Sequence, residues 1–185
     1  ITADKLRQAA GTAATLAEKS NFKTISFHIP TDNSAKDVYA GLGQSNDNFP
    51  QTVAEGSLLS LYHFDEYKQP GKEKPNRINQ IILLAHTKSQ VSSTRSSASR
   101  GRKLVAAVTT ARDLISQPSN TATPSYLAGK ARELAKSFGM TCKILNTRDM
   151  KKLGMGSLLG VSKGSEEPPA FIILEHHGGT KNDPP

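Results

Sequence analysis

Tryptophan is absent from the 185-residue sequence, aromatic residues make up 5% of it, and Cys142 is the single cysteine. With so few aromatics, aliphatic side chains must form most of any core. One thiol cannot form a disulfide within the chain, which favours a reducing compartment and predicts a cytoplasmic protein. No apolar stretch approaches the ~20 residues that a membrane-spanning helix needs, so no membrane partner is predicted.

The first residues, Ile1–Lys5, include no methionine and no basic segment followed by an apolar one, so they do not resemble a secretory signal. This beginning is unusual for a native protein. We therefore expect a fragment or a trimmed chain.

The formal net charge is +8, which raises nucleic-acid or membrane-surface binding as a hypothesis. Five basic residues and no acidic ones lie between positions 88 and 103: Lys88, Arg95, Arg100, Arg102 and Lys103. Serines separate them, and no aromatic residue is interleaved for base stacking. The tract is read either as a solvated segment leading into a helix or as an electrostatic patch for docking.

Hydrophobic periodicity predicts alternating helices and strands. The predicted helices are 4–19, about 51–66, 100–116, 124–138 and a short one that Thr147 caps and that ends at Gly154. The predicted strands are 24–29, 78–85, 140–145, 157–161 and 171–174. This order, without an internal repeat, indicates an α/β fold.

Three of these elements carry sharper expectations. The nearly continuous apolar run 78–85 predicts a strand buried on both faces. Leu104, Val108, Ala111 and Ile115 have helical spacing and predict a buried stripe on the helix over 100–116.

The helix over 124–138 should begin with Thr123 as N-cap and Pro124 at its first position, and Gly139 should end it. Leu127, Ala131, Leu134 and Phe138 form its predicted apolar face.

Few side chains suggest a reactive site. Glu175-His176-His177 is the most ligand-like cluster, but adjacent strand residues point to opposite faces, which favours a plain strand end. His28, His63 and His86 stand alone in the sequence.

Other candidates are weaker still. Cys142 alternates with apolar residues and is predicted to be a buried core thiol rather than a nucleophile. Lys163-Gly164-Ser165 lacks the upstream glycine of a phosphate loop, and Glu166-Glu167 precedes two prolines on a predicted loop.

Four stretches resemble the leucyl aminopeptidase (cytosol aminopeptidase) family. They are Glu55–Lys68, which contains Glu-Gly and Phe-Asp-Glu-Tyr-Lys; Ala111–Pro124, which contains Ala-Arg-Asp-Leu and Pro-Ser-Asn-Thr-Ala-Thr-Pro; Gly154–Ser165, which begins Gly-Met-Gly-Ser-Leu-Leu; and Glu166–Phe171. Residues 1–54 are similar to the family only in their helix–strand pattern.

This resemblance implies a two-domain parent. It predicts a macro-like N-terminal α/β domain over 1–99, a linker helix over 100–117, and the opening of a larger, truncated C-terminal catalytic α/β domain over 118–185. The parent is implied to be a homohexamer that removes N-terminal residues, often Leu, from peptide substrates.

The family is further implied to use two divalent metal ions, commonly Zn, Mn or Mg, to activate water and polarise the scissile carbonyl. Its Gly-Lys-Gly…Phe-Asp-Ser-Gly-Gly and Asn-Thr-Asp-Ala-Glu-Gly-Arg segments do not occur in this sequence. Asn146-Thr147-Arg148-Asp149 matches the second only in part and is interpreted as a helix cap. No catalytic, metal-binding or substrate-binding residue can therefore be assigned, and this chain alone is predicted to be inactive and to bind neither metal.

Non-catalytic roles remain as alternatives. The resemblance allows DNA binding, which some bacterial family members perform, and macro-like domains can hold nucleotide-like ligands. An assembly scaffold is a third possibility, because a truncated chain exposes surface that a missing domain would cover.

Overall fold

A computed structural model describes residues 2–30, 48–69 and 76–179. The chain divides into two compact units, Ile1–Asp113 and Leu114–Pro185. Both units mix helices with short strands, which confirms the α/β class. The boundary between them falls inside the helix that the sequence predicts as a linker, while the domain limits 1–99, 100–117 and 118–185 stay a prediction.

The N-terminal unit contains α1 (Ala3–Lys19), β1 (Thr24–His28), α2 (Asn48–Ser60), β2 (Gln80–Leu84) and most of α3 (Lys88–Ser116). β1 and β2 are parallel, with Thr24 opposite Gln80 and His28 opposite Leu84. Parallel strands need a long crossover connection, and α2 lies within this one.

The core of this unit lies where α1, α2 and the sheet meet. It consists of Ala10 from α1, Phe49 and Val53 from α2, and Ile29 just after β1. Thr2 is the N-cap of α1, and its hydroxyl accepts a hydrogen bond from the Lys5 backbone N–H at 3.3 Å. The predicted first helix and first strand are confirmed to within one residue.

The predicted buried stripe of α3 is wrong. Leu104 is 52% exposed, Val108 40% and Ile115 84%, and Ala111 is exposed as well. The buried positions are Thr94, Ser97, Gly101 and Val105. Small side chains let α3 approach α2 closely, so the serine-rich tract from Lys88 is helical and supplies the buried face that the larger apolar residues were predicted to supply.

Two further boundaries differ from the prediction. α2 ends at Ser60 instead of about 66, and β2 covers only Gln80–Leu84. β2 is not buried on both faces, because its first and last residues are exposed and its middle three are half-buried. Residues 70–75, which lie between α2 and β2 in sequence, are outside the described residues.

The C-terminal unit contains the end of α3, then α4 (Pro124–Phe138), β3 (Thr141–Leu145), α5 (Thr147–Lys152), α6 (Gly156–Ser162) and β4 (Phe171–Glu175). β3 and β4 are antiparallel, with Thr141 opposite Glu175 and Leu145 opposite Phe171. The predicted start and end of α4 are confirmed: Thr123 accepts a hydrogen bond from the Tyr126 N–H at 3.2 Å, and Gly139 is left-handed with φ 65°.

Three predictions for this unit need correction. Residues 157–161 form a helix, not a strand, because a five-residue apolar run does not distinguish the two. The N-cap of α5 is Asn146 rather than Thr147, since Asn146 and Asp149 bond each other's backbone in a capping box. The buried face of α4 is Ala128, Ala131 and Ala135, so Ala131 alone of the predicted face is buried; Leu134 is half-buried, and Leu127 is 37% and Phe138 69% exposed.

Cys142 is half-buried in β3 opposite Leu174, so it is less enclosed than the predicted core thiol.

Candidate functional site

The basic tract lies along the first half of α3. Lys88, Arg95, Arg100, Arg102 and Lys103 are all exposed. At 100° per residue they spread over the side of α3 that faces away from its buried positions. Arg100 Nε donates a hydrogen bond to Gln51 Oε1 at 3.3 Å. This arrangement is that of a solvated helix face.

A buried carboxylate, Glu55, joins α1 to α2. Its Oε2 accepts hydrogen bonds from Arg7 Nε at 2.9 Å and Nη2 at 2.8 Å, and its Oε1 accepts one from Gln51 Nε2 at 2.8 Å. The Glu55 side chain is 9% exposed and that of Arg7 36%. Both carboxylate oxygens are thus occupied, so Glu55 holds the helices together and is not free to act as a base.

Gly56 lies where α1 and α2 cross. A Cβ atom on Gly56 would overlap the backbone carbonyl of Arg7, and one on Gly11 would lie 3.1 Å from the Gly56 carbonyl oxygen. In the Glu55-Gly56 pair of the first matched stretch, Gly56 permits the close approach of α1 to α2. This approach brings Arg7 within hydrogen-bonding distance of Glu55.

The second matched stretch fastens α3 to the end of α2. Arg112 Nη1 donates to the Leu59 carbonyl at 3.0 Å, one of the last carbonyls of α2, and its guanidinium lies 5.4 Å from the centroid of the Tyr62 ring. The Tyr62 hydroxyl donates to Asp113 Oδ1 at 2.7 Å. The first and second stretches, distant in sequence, therefore meet at this point.

An ion-pair network fastens the segment after α2. Asp65 accepts hydrogen bonds from Arg77 Nη2 at 2.6 Å and Lys68 Nζ at 2.8 Å. The hydrogen bond from Lys68 and then that from Arg77 hold the pKa of Asp65 below its ordinary value. His63 Nε2 lies 3.0 Å from Glu18 Oε2, whose other oxygen is buried 3.9 Å from Arg77 Nη1.

The other two matched stretches shape the backbone of the C-terminal unit. Gly154 has φ 68° and ends α5, and Gly156 begins α6. In the same unit, the end of the second stretch forms the loop before α4, which turns through hydrogen bonds from the Thr121 and Ala122 N–H groups to the Pro118 carbonyl, both at 2.9 Å. Glu166 and Glu167 are exposed, as predicted for a loop.

Two open grooves lie in the N-terminal unit. One, of about 620 Å³, lies over Leu59 between α1 and Arg112 of α3; the other, of about 540 Å³, lies between β2, α2 and Arg102. Among the described residues that line either groove there is no Asp, Glu, His or Cys. Among these lining residues, neither groove therefore offers a carboxylate, an imidazole or a thiol for catalysis or metal binding.

The metal ions implied by the resemblance do not fit the part of the chain that the structure describes. Within residues 2–30, 48–69 and 76–179, no three His, Cys, Asp or Glu side chains come together to hold an ion. Glu175 ends β4, and His176 and His177 follow it as exposed residues, as predicted for a strand end.

The isolated histidines of the sequence are not all isolated in space. His63 contacts Glu18, and the rings of His28 and His86 lie 5.9 Å apart between centroids. The strand register, which the sequence did not reveal, brings the last two together.

In the described segments, no helix is long and apolar enough to cross a membrane.

Sequence comparison matches both parts of the chain to one family. Residues 1–71 match the N-terminal domain of the cytosol aminopeptidase family, and residues 109–185 match its catalytic domain. A probable cytosol aminopeptidase of Geotalea uraniireducens is 37% identical over 185 residues, covering 99% of this chain and 35% of that protein. One of Solibacter usitatus is 41% identical over 132 residues, covering 71% of this chain and 26% of that protein.

Structure comparison agrees. The bottromycin maturation enzyme BotP in complex with Mn aligns with a TM-score of 0.74 and 28% identity, covering 94% of this chain and 33% of that one. A tomato leucine aminopeptidase mutant aligns with a TM-score of 0.75 over 91% of this chain and 32% of that one; at 23% identity it supports the fold alone. This chain spans about a third of the length of the relatives that it matches from end to end.

Proposed function

Because the chain belongs to the cytosol aminopeptidase family, as its N-terminal domain and the start of its catalytic domain, we propose that the whole protein is an aminopeptidase. It would release N-terminal residues, Leu among them, from peptides. The observation that carries this proposal is the match to both domains of one family in the expected order. The probable cytosol aminopeptidases among its relatives support the same peptide-hydrolase activity.

The role proposed for these residues is structural. The matched stretches in the N-terminal unit contain Glu55 with Gly56, Tyr62, and Arg112 with Asp113, and each of these residues contacts a neighbouring helix. Such contacts hold α1, α2 and α3 together within the N-terminal unit. The groups that perform the hydrolysis would lie in the two thirds of the relatives' length that this chain does not span.

Two divalent ions, Zn, Mn or Mg, are proposed for the whole protein. A metal pair would supply an activated water and a Lewis acid for the scissile carbonyl. The manganese complex of the bottromycin maturation enzyme supports a metal in a relative. A cytoplasmic homohexamer is proposed on the family resemblance alone.

A leucyl-anilide assay on the complete gene product tests the aminopeptidase proposal. We expect hydrolysis of leucyl-anilide. A chelator should abolish it, and added Mn²⁺ or Zn²⁺ should restore it. A folded gene product that hydrolyses neither leucyl-anilide nor Leu-containing dipeptides with any of the three metals would contradict it. Hydrolysis that resists the chelator would overturn the metal proposal and leave the peptidase proposal standing.

DNA binding has no support from the relatives. The relatives described above are named as aminopeptidases, and the five basic residues between positions 88 and 103 are spread over the exposed side of α3.

A further inference from the structure

His28 and His86 lie side by side at the carboxyl end of the parallel sheet. His28 is the last residue of β1 and is opposite Leu84 in β2. His86 comes two residues after Leu84, and side chains two residues apart in an extended chain lie on the same face. The two ring centroids are 5.9 Å apart and the ring planes are inclined by 41°.

Both imidazole rings are accessible and uncommitted within the described structure. His28 and His86 are exposed, and neither ring has a hydrogen-bond or ion-pair partner among residues 2–30, 48–69 and 76–179. His63 provides the contrast, because its Nε2 lies 3.0 Å from the Glu18 carboxylate. The ring nitrogens of the exposed pair are therefore available to an external ligand.

The backbone on both sides of the pair is held in place. Ile29 N–H donates to the Leu84 carbonyl at 3.0 Å, which extends the ladder past His28. The N–H groups of His86 and Thr87 both donate to Gln90 Oε1, at 3.0 and 3.3 Å. A ligand that needs both rings would thus find their backbones already positioned, and only side-chain rotation would remain.

Imidazole nitrogen is the ligand that Zn²⁺, Ni²⁺ and Cu²⁺ accept readily, whereas Mg²⁺, Ca²⁺ and Mn²⁺ prefer oxygen. Two imidazoles that share one ion at ~2.1 Å each have ring centroids roughly 5–6 Å apart. The observed separation of 5.9 Å lies within this range. Water would complete the coordination, since no third protein ligand is near among the described residues.

We propose that His28 and His86 form a two-imidazole binding site for one divalent transition-metal ion, with Cu²⁺, Ni²⁺ and Zn²⁺ as the ions it accepts. The site lies in the N-terminal unit and uses nitrogen ligands alone. The proposal does not rest on the proposed function, and it stands whether or not the protein is a peptidase.

The chain offers an internal control for this site. It contains five histidines, and His176 and His177 form a second exposed pair in the C-terminal unit. Those two are adjacent in sequence just after β4. Loss of binding in His28→Gln and in His86→Gln, but not in the His176→Gln/His177→Gln double variant, would assign the ion to the proposed pair.

The test is a calorimetric titration of the metal-free 185-residue chain with NiCl₂ or ZnCl₂, at a pH above the histidine range and without phosphate. The expected result is one ion per chain, with affinity about tenfold or more lower in either single variant. The double variant His28→Gln/His86→Gln should be little worse than either single one, because a shared ion is lost when one ligand is lost. Circular dichroism of each variant checks the fold.

Ring signals in a ¹H–¹³C NMR spectrum give a second readout on the unmodified protein. Substoichiometric Cu²⁺ should broaden the same two of the five histidine ring signals first, and the Gln variants should assign these to His28 and His86. Uniform broadening of all five, earlier broadening of His176 and His177, or stoichiometric binding that survives both single substitutions would overturn the proposal.

Discussion

The contacts that stabilise the N-terminal unit differ in kind from those that stabilise the C-terminal unit. In the N-terminal unit, side-chain hydrogen bonds join residues far apart in sequence, as in the Arg7–Glu55 pair, the Tyr62–Asp113 bond and the Glu18–His63 contact. In the C-terminal unit, the capping bonds of Thr123 and Asn146 join residues two or three positions apart, and Gly139 and Gly154 reverse the chain. The family signature therefore marks tertiary contacts in one unit and local chain reversals in the other.

This difference predicts where a single substitution will act. A change at a helix crossing in the N-terminal unit should disturb elements far away in sequence. A change at a cap in the C-terminal unit should act on one helix end. Because the chain has two units, hydrogen exchange followed segment by segment reports on each of them better than one global transition does.

The largest effect is expected from Gly56→Ala. The added Cβ would overlap the backbone of Arg7, so α1 and α2 must separate and the N-terminal unit should lose about 3 kcal/mol or more. Exchange should rise throughout α1, α2 and the sheet while α4 and β3 keep their protection.

Gly129→Ala is the matched control for this substitution. Gly129 lies inside α4 and a Cβ there would have no neighbour within 4 Å. Alanine should stabilise that helix by ~0.5–1 kcal/mol. Similar destabilisation by both substitutions would contradict the assignment of Gly56 to a close crossing.

A smaller loss is expected from Glu55→Gln. The substitution leaves the Arg7 guanidinium without its carboxylate partner, at a cost of about 1–3 kcal/mol because Arg7 itself is partly exposed. Urea unfolding of the N-terminal unit measures this loss of stability.

Glu133→Gln is the control. It removes the exposed Lys130–Glu133 pair of α4 and should change stability by less than ~0.5 kcal/mol. Equal effects would show that the buried pair is no more than a surface contact.

Arg112→Ala should cost about 1 kcal/mol. It removes the hydrogen bond to the Leu59 carbonyl and the contact with the Tyr62 ring. Lys103→Ala on the exposed side of the same helix is the control, with a change within about 0.5 kcal/mol. The two variants are compared by thermal unfolding, and faster exchange at the end of α2 should accompany only the first. Its absence would show that Arg112 does not hold α2.

The smallest effect concerns acid stability. The pKa of Asp65 in the folded protein is lower than its ordinary value of 3.8, so its contribution to stability is present above that value and is lost as the pH falls through the folded pKa. Asp65→Asn should flatten this part of the acid limb and leave stability near neutral pH little changed. A carboxyl NMR titration of Asp65 that shows an ordinary or raised midpoint would contradict the proposed hydrogen bonds.

The sequence allowed most of the elements and the caps of α4 to be predicted, because periodicity, Thr123-Pro124 and Gly139 are local signals. The four matched stretches indicated the family. It did not allow the buried face of α3 to be predicted. Leu104 and Ile115 have the expected spacing, yet the close approach to α2 is made at Gly101, and the small residue Ser97 is buried as well. Residues 157–161 were misassigned for a related reason, since a short apolar run has no period long enough to identify a helix.

The candidate site shows the same limit. The sequence indicated which residues carry the resemblance, but it did not show that Glu55 contacts Arg7 or that Tyr62 contacts Asp113. It also treated His28 and His86 as separate residues. Their proximity depends on the register of β1 against β2, which is a long-range property that neither strand encodes alone.

The most direct test of the central claim, that these residues form a framework and not the chemical site, is leucyl-anilide hydrolysis by the folded 185-residue chain. The assay is run with Mn²⁺, Zn²⁺ and Mg²⁺ in turn, beside the complete gene product as positive control. The account predicts no hydrolysis by the chain above the buffer rate with any of the three ions. Metal-stimulated release of leucine by the chain alone would contradict it.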